Sequence, residues 1–524
     1  MADREGTTLT VAQWIVRHSF TRVALQFPPE LLALAPAELQ SLGAALRPTP
    51  VRLFLVGDTS FSPCCVDEVA AAHYSAEAIV HYGHTCLTPT RALPAFHALG
   101  PLVGSVAAAA CGAAILGQAE AAAASGELAV LVWDAELTAC LPEVLQAVAQ
   151  AGGSSSSSSS SSAATPAAPL DDEVLSWASP HPSLFLPSCR RVFWPTSAQP
   201  ASAAVPHVCG MSLAGLPQPA PPLRVLYLGG CPGQERLLVG SHGGCSGGVW
   251  RLDPATGACA RSGGAPHARL LASRYRLVGL LKAATSVGIV AGTLAVAGHA
   301  QLLAALRQAL AASGKAVYVL LVGKVTPAKL ANFHGTCDVF VLLACPQASL
   351  LGEEEARGHA VPVCTPHEAL VALEELAVEA EREAEEQLGG EQLLQGASEQ
   401  AQQPLSLGWD GELLLSFDTL MHRLQGSVHL QRAAARRAAA EASSAGQPAA
   451  GSAGQAPPGE ATASTEIVDV GAGRGVLAVG GAQGEAATRL LAREWRGLAY
   501  EAPQAEHTIA NGRTGRAAGY EGGR

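Results

Sequence analysis

VRLFLVGDTSFSPCCVDEVAAAHYSAEAIVHYGHTCLTP, residues 51–89, decides how the chain folds. It opens on an apolar run, 51–56 (VRLFLV), of the kind that fits a strand. Gly57, Ser60, Ser62 and Pro63 then break the chain. Residues 65–74 carry an alanine-rich helical pattern, and 78–82 (AIVHY) are a second short apolar run. Strand, loop, helix, strand is the unit that builds parallel sheets. Cys64 and Cys65 fall in the loop after the first strand, and Cys86 a few residues after the second. In open parallel sheets, ligands gather beyond the carboxyl ends of the strands.

The alternation extends outward in both directions. Residues 22–27 (RVALQF) read as a strand and 30–46 as a helix after Pro28 and Pro29. Downstream, 224–228 (RVLYL), 286–290 (SVGIV), 316–322 (AVYVLLV), 338–344 (DVFVLLA) and 360–364 (AVPVC) read as strands. Residues 301–313 and 367–388 read as helices. The pattern predicts an α/β protein with parallel sheets flanked by helices. Three α/β domains are expected, at 10–150, 180–313 and 314–430. Between the first two lies a Ser/Ala/Pro-rich flexible insertion, 151–179, with nine consecutive serines at 154–162. A low-complexity linker, 431–465, precedes a C-terminal segment, 466–524. The acidic run 374–386 reads as the solvated face of a helix.

Composition narrows the function classes. Of 524 residues, 48% are hydrophobic and 15% charged, so a sizeable core is expected. The net charge of −11 argues against binding nucleic acid or an anionic membrane surface, both of which need clustered Lys and Arg. The first residues carry Asp3, Arg4 and Glu5 and no apolar run, so no signal peptide is read there. The longest uncharged apolar stretch, 283–306, contains Gly288, Gly292, Gly298 and His299. It reads as a strand, a glycine loop and a helix start rather than a membrane span. A cytoplasmic protein with its 13 cysteines reduced is expected, and clustered cysteines are then candidates for metal or catalysis.

Cys345, at the end of the strand in VFVLLACPQ, joins Cys65 and Cys86 as a cysteine placed where such folds build sites. Thiolates suit iron–sulfur clusters or zinc. Cys64, Cys65, His73, His81, His84 and Cys86 offer a mixed zinc site, although the CxxC knuckle of structural zinc is absent. The plainer alternative is that these cysteines are small buried apolar side chains.

The string GDTSFSPCCVDEVAAAHYSAEAIVHYGHTCLTPT resembles the first-domain signature of the diphthamide synthesis proteins. So do ALQFPPELL (24–32), RYRLVGLLKAATSVGIVAGTLAVAG (274–298), GKAVYVLLVGKVTPAKLANF (314–333), DVFVLLACPQASLL (338–351), VPVCTPHEAL (361–370) and LLAREWRGL (490–498). The resemblance implies three similar α/β domains around a 4Fe–4S cluster at their junction. It places the ligands on Cys65, Cys86 and Cys345, with Cys64 in reserve and Cys364 in the core.

In the family's first subunit and its archaeal homodimer, one ligand cysteine is expected from each domain. Here the second-domain strand runs into Gly229, Gly230, Cys231 and Pro232, and Cys209, Cys231, Cys245 and Cys259 have no ligand-like context. The chain is therefore more similar to the second subunit. That resemblance implies a heterodimer with subunit 1, a small electron-donor protein, and elongation factor 2 as the protein substrate. The implied reaction transfers a 3-amino-3-carboxypropyl group from S-adenosylmethionine to a histidine. The implied role is to support reduction of subunit 1's catalytic cluster rather than to catalyse.

Rival readings are a catalytic or homodimeric member of the same family, a quinolinate-synthase-like 4Fe–4S enzyme, and a scaffold without metal. IVDVGAGRG (467–475) also resembles the glycine loop of a methyltransferase, but only 49 residues follow it.

Overall fold

Parallel strands buried on both faces need unbroken apolar sequence, and this chain supplies it three times. The computed structural model describes residues 2–57, 59, 61–100, 106–152, 174–195, 207–217, 219, 221–263, 265–387 and 413–445. They belong to one compact unit, Met1–Gly446. The serine run 154–162, the glycine loop 467–475 and the stretch 490–498 lie outside the described residues.

The strands of the parallel sheets are numbered in chain order. The first sheet contains β1 (Arg22–Gln26), β2 (Arg52–Val56), β3 (Ala78–Tyr82) and β4 (Ala95–Ala98), in the order β2-β1-β3-β4. Val192–Phe193 closes its edge antiparallel to β4. The next sheet is centred on β5 (Leu128–Trp133), β6 (Leu223–Leu228) and β7 (Val249–Leu252), with β6 in the middle. The last contains β8 (Ser286–Ala291), β9 (Ala316–Leu320), β10 (Val339–Leu343) and β11 (Val363–Cys364), in the order β9-β8-β10-β11, all parallel. Every residue of β3 and of β10 is buried. A small antiparallel sheet joins Val174–Leu175, Ser188–Arg190, Met211–Ser212 and His207–Val208.

Sheet membership does not follow the intervals 10–150, 180–313 and 314–430. β5 pairs along its whole length with β6, from Leu128↔Leu223 to Trp133↔Leu228. β8 pairs with β9 and β10. Periodicity shows that a strand exists, whereas partner choice depends on which apolar faces fit together in space.

Local departures have local causes. The stretch expected as a helix over 30–46 is a 3₁₀ turn, Pro29–Leu34, followed by the helix Ala35–Ala45, with Pro36 in its first turn where the missing N–H costs nothing. The helix expected from residue 65 begins at Glu68, because Asp67 caps it by accepting the Ala70 N–H at 2.9 Å. That leaves both adjacent cysteines in the loop.

The acidic run is not wholly solvated. On the helix Pro366–Gln387, Glu374 is buried and accepts the Ser427 hydroxyl at 3.0 Å, while Glu375 and Glu379 pair with Lys282. Residues 431–445, read from composition as linker, continue the helix Val428–Ala445, where alanine and arginine favour helix.

The stretch 283–306 forms β8, a glycine loop and the start of the helix His299–Ala312. Among the described residues, no helix is long and apolar enough to cross a membrane. The loop after β3 meets the loop after β8 through a bridge between Thr90 and Val296 and an Ala297 N–H donated to Pro89 C=O at 3.1 Å. This seam joins the loops that follow β3 and β8.

Candidate metal centre

Adjacent side chains on an extended chain point apart, so two neighbouring thiols converge only where the backbone turns. Ser62, Pro63, Cys64 and Cys65 make that turn, and the Cys65 N–H donates to the Ser62 C=O at 3.1 Å. Gln26, the buried last residue of β1, pins the loop from below. Its Nε2 donates to the Cys65 C=O at 2.7 Å and its Oε1 accepts the Asp67 N–H at 2.8 Å.

Cys86 arrives from β3 through Gly83, whose φ of 83° suits glycine. Its N–H donates to the Cys64 C=O at 3.1 Å, which ties the two loops together. Gly210 presses against this loop: a Cβ there would stand 2.4 Å from Leu87 Cβ and 2.8 Å from the Cys86 carbonyl. Cys345 follows β10 and precedes the one-turn helix Pro346–Ser349. The Ser349 hydroxyl lies within hydrogen-bond reach of the Cys345 and Ala344 carbonyls, at 2.9 and 3.0 Å.

The four sulfurs of Cys64, Cys65, Cys86 and Cys345 all lie within 4.8 Å of one another, and all four residues are buried. Cys64 and Cys345 are 3.6 Å apart, and Cys65 and Cys86 3.9 Å. Thr88 Oγ1 is 2.6 Å from the Cys86 sulfur. Contacts from the Cys345, Cys64 and Cys65 thiols, in that order, hold Cys86 well below the usual thiol range. The Cys345 contact first, with the other thiols and burial, pushes Cys65 up, and the Cys64 contact pushes Cys345 up. Thiols packed this closely favour one thiolate supported by S–H donors around it.

The histidines weighed for a mixed site are not in this group. His73 is exposed at a helix end. His81 turns Nε2 to the Pro63 C=O at 3.1 Å, and burial lowers it to about 4, so it stays neutral. His84 is engaged outside the four-thiol group, with Nε2 2.9 Å from Gln347 Oε1 and 3.5 Å from the Cys231 sulfur.

Cys231 is the residue that the sequence reading passed over. It stands just beyond β6, as Cys345 stands beyond β10, and its N–H is held by Asp134 Oδ2 at 3.3 Å and Tyr227 OH at 2.9 Å. Burial works against charge at both partners, yet their mutual contact prevails. Cys231 is lowered, and His84 is raised to about 10. The signal in the sequence was an apolar strand, two glycines and Cys-Pro, a helix start immediately beyond a strand end.

The family model described as "Putative diphthamide synthesis protein" matches residues 27–173 and 199–384. The chain belongs to the diphthamide synthesis protein family. Relatives named "2-(3-amino-3-carboxypropyl)histidine synthase subunit 2" include one from Xenopus laevis, 31% identical over 360 residues, which are 69% of this chain and 65% of the relative. One from Gallus gallus is 34% identical over 67% of this chain and 64% of its own length. One from Rattus norvegicus is 35% identical over 70% and 68%. The match thus spans less than two thirds of the Xenopus and Gallus proteins.

A crystal structure of Dph2 from Pyrococcus horikoshii with a 4Fe–4S cluster superposes with a TM-score of 0.42 at 17% identity, covering 70% of this chain and 90% of that one. A second structure of the same protein gives 0.44 at 18%, over 69% and 89%. The stretches that match the diphthamide family contain all four clustered cysteines and Cys231.

Proposed function

We propose that this chain is subunit 2 of the synthase for the first step of diphthamide formation, and that Cys65, Cys86 and Cys345 hold a 4Fe–4S cluster. The observation that carries the reading is the convergence of the sulfur of Cys345 on loops more than 250 residues away; it sits 3.6 Å from Cys64, 281 positions earlier. The donor set fits the group: it contains thiols alone, without carboxylate or imidazole, and soft thiolates suit iron–sulfur centres. When bound, the cluster supplies one-electron chemistry. Cys65, Cys86 and Cys345 would hold it in a buried place where loops from the sheets of β1 and β8 meet.

In this reading the complex moves a 3-amino-3-carboxypropyl group from S-adenosylmethionine to a histidine of elongation factor 2 in the cytoplasm. Subunit 1 is the heterodimer partner and carries the catalytic site. This chain helps keep the partner reduced, drawing on a small electron-donor protein. The test assays transfer anaerobically with this chain alone, with subunit 1, and with subunit 1 plus Cys345→Ala. Activity only in the mixture is expected, with a larger loss for the variant under a physiological donor than under dithionite. Full turnover by this chain alone would overturn the assignment.

The sulfur spacing favours a second reading. One tetrahedral ion with metal–sulfur bonds of about 2.3 Å sets its sulfurs about 3.8 Å apart, whereas a cubane spreads them to roughly 6–7 Å. The observed 3.6 and 3.9 Å match the single ion. Assays of iron, acid-labile sulfide and zinc on anaerobically purified protein separate the two: iron with sulfide supports the cluster, zinc without sulfide the ion.

A further inference from the structure

We propose that Cys64 is a fourth thiolate ligand, so that the cluster of this chain leaves no iron open to a small molecule. The inference rests on the iron–sulfur reading above and names what that reading leaves open.

Several features single out Cys64. The turn at Ser62–Cys65 is what lets neighbouring side chains reach one point, and Cys64 would face elsewhere on a straight chain. Its sulfur is one of the four that converge within 4.8 Å, and Cys64 is buried like Cys65, Cys86 and Cys345. Its carbonyl accepts the Cys86 N–H, so its backbone is stitched into the seam between the loops. Ser62 Oγ stands 3.2 Å from the sulfur and can donate to a thiolate there. Cys231, the other nearby thiol, faces His84 instead.

The chemical consequence follows from counting ligands. Three thiolates on a four-iron cluster would leave one iron without a protein ligand, open to an added small molecule. Four thiolates leave none, and a saturated cluster is confined to passing electrons. Cys64 would then be the residue that fixes this chain as a supporting subunit.

The full-length protein, purified anaerobically and reduced, provides the test by Mössbauer and electron paramagnetic resonance spectroscopy, with S-adenosylmethionine and cyanide as probes. The wild-type spectra are expected to be unmoved by either probe. In Cys64→Ala, about one quarter of the iron should become distinct and respond to cyanide. A wild-type spectrum that shifts with either probe overturns the assignment, and needs no variant to fold. So does a Cys64→Ala protein whose iron is indistinguishable from wild type. A wild-type protein lacking iron and sulfide overturns the iron–sulfur reading itself, a result distinct from a cluster with one open iron.

Discussion

Two thiol sites stand a few residues beyond strand ends, and they handle charge in opposite ways. The four-thiol nest gathers Cys64, Cys65, Cys86 and Cys345 with no cation among them, in a fully buried place. Cys231, half-buried beyond β6, has His84 at 3.5 Å and a backbone locked by Asp134 and Tyr227. A buried thiolate must be offset by a proton, a metal or an imidazolium. The nest leaves that role to protons or metal, whereas the Cys231 site supplies its own counter-ion. Strand ends thus deliver thiols, and the neighbours decide whether a thiol becomes a ligand or a charged partner.

The contrast breaks most sharply at Cys345. Cys345→Ala removes the thiol that the last sheet brings to the nest, and bound metal per chain should fall at least about tenfold. Cys231→Ala should leave it near the wild-type value. Equal metal loss in both variants, by elemental analysis of protein purified without oxygen, would merge the two sites into one.

Gln26 offers a subtler test, because it touches no sulfur. Its amide spans the Cys65 C=O and the Asp67 N–H. Gln26→Ala leaves two buried backbone groups unpaired, at a cost of roughly 1–3 kcal/mol. Urea unfolding should show that loss, and metal retention under a chelator should drop several-fold while Cys231 reactivity stays put.

The pair at His84 predicts a pH signature. Cys231 is lowered below its ordinary value and His84 is raised to about 10, so their contact favours the thiolate–imidazolium pair, which is lost as pH rises through His84's titration or falls through that of Cys231. Alkylation of Cys231, followed by peptide mass spectrometry, should already be near its plateau below the ordinary thiol pKa of about 8.5. His84→Ala should slow it about tenfold at pH 7. An unchanged rate would show that His84 does not support the charge. The smallest effect is expected from deleting 154–162: nine serines have nothing apolar to pack, so metal content should not change and stability should move by less than about 0.5 kcal/mol.

Much of this was legible in the residues. Unbroken apolar runs such as AIVHY and VFVLL announced strands buried on both faces, and β3 was placed at 78–82 to the residue. The positions of Cys65, Cys86 and Cys345 after strands were readable for the same reason. The helix start at Glu68 is not legible in the sequence, because Asp67 acts as a cap only once its side chain reaches the Ala70 N–H. The helix over 431–445 is not legible in the alanine-rich sequence, since composition does not distinguish a free linker from a helix with something to pack on.

By itself, then, the sequence determined the local objects: apolar strands, the breaks between them, and which thiols stand near a strand's carboxyl end. These depend on side-chain periodicity and backbone chemistry within a few residues. Only the tertiary structure decided that β5 joins β6, that Cys345 meets cysteines from the first sheet, that Cys64 enters the same nest, and that Cys231 takes His84 as its partner. Those outcomes depend on the packing of distant faces and on single turns such as Ser62–Cys65, where contact is set by three-dimensional fit rather than by spacing along the chain.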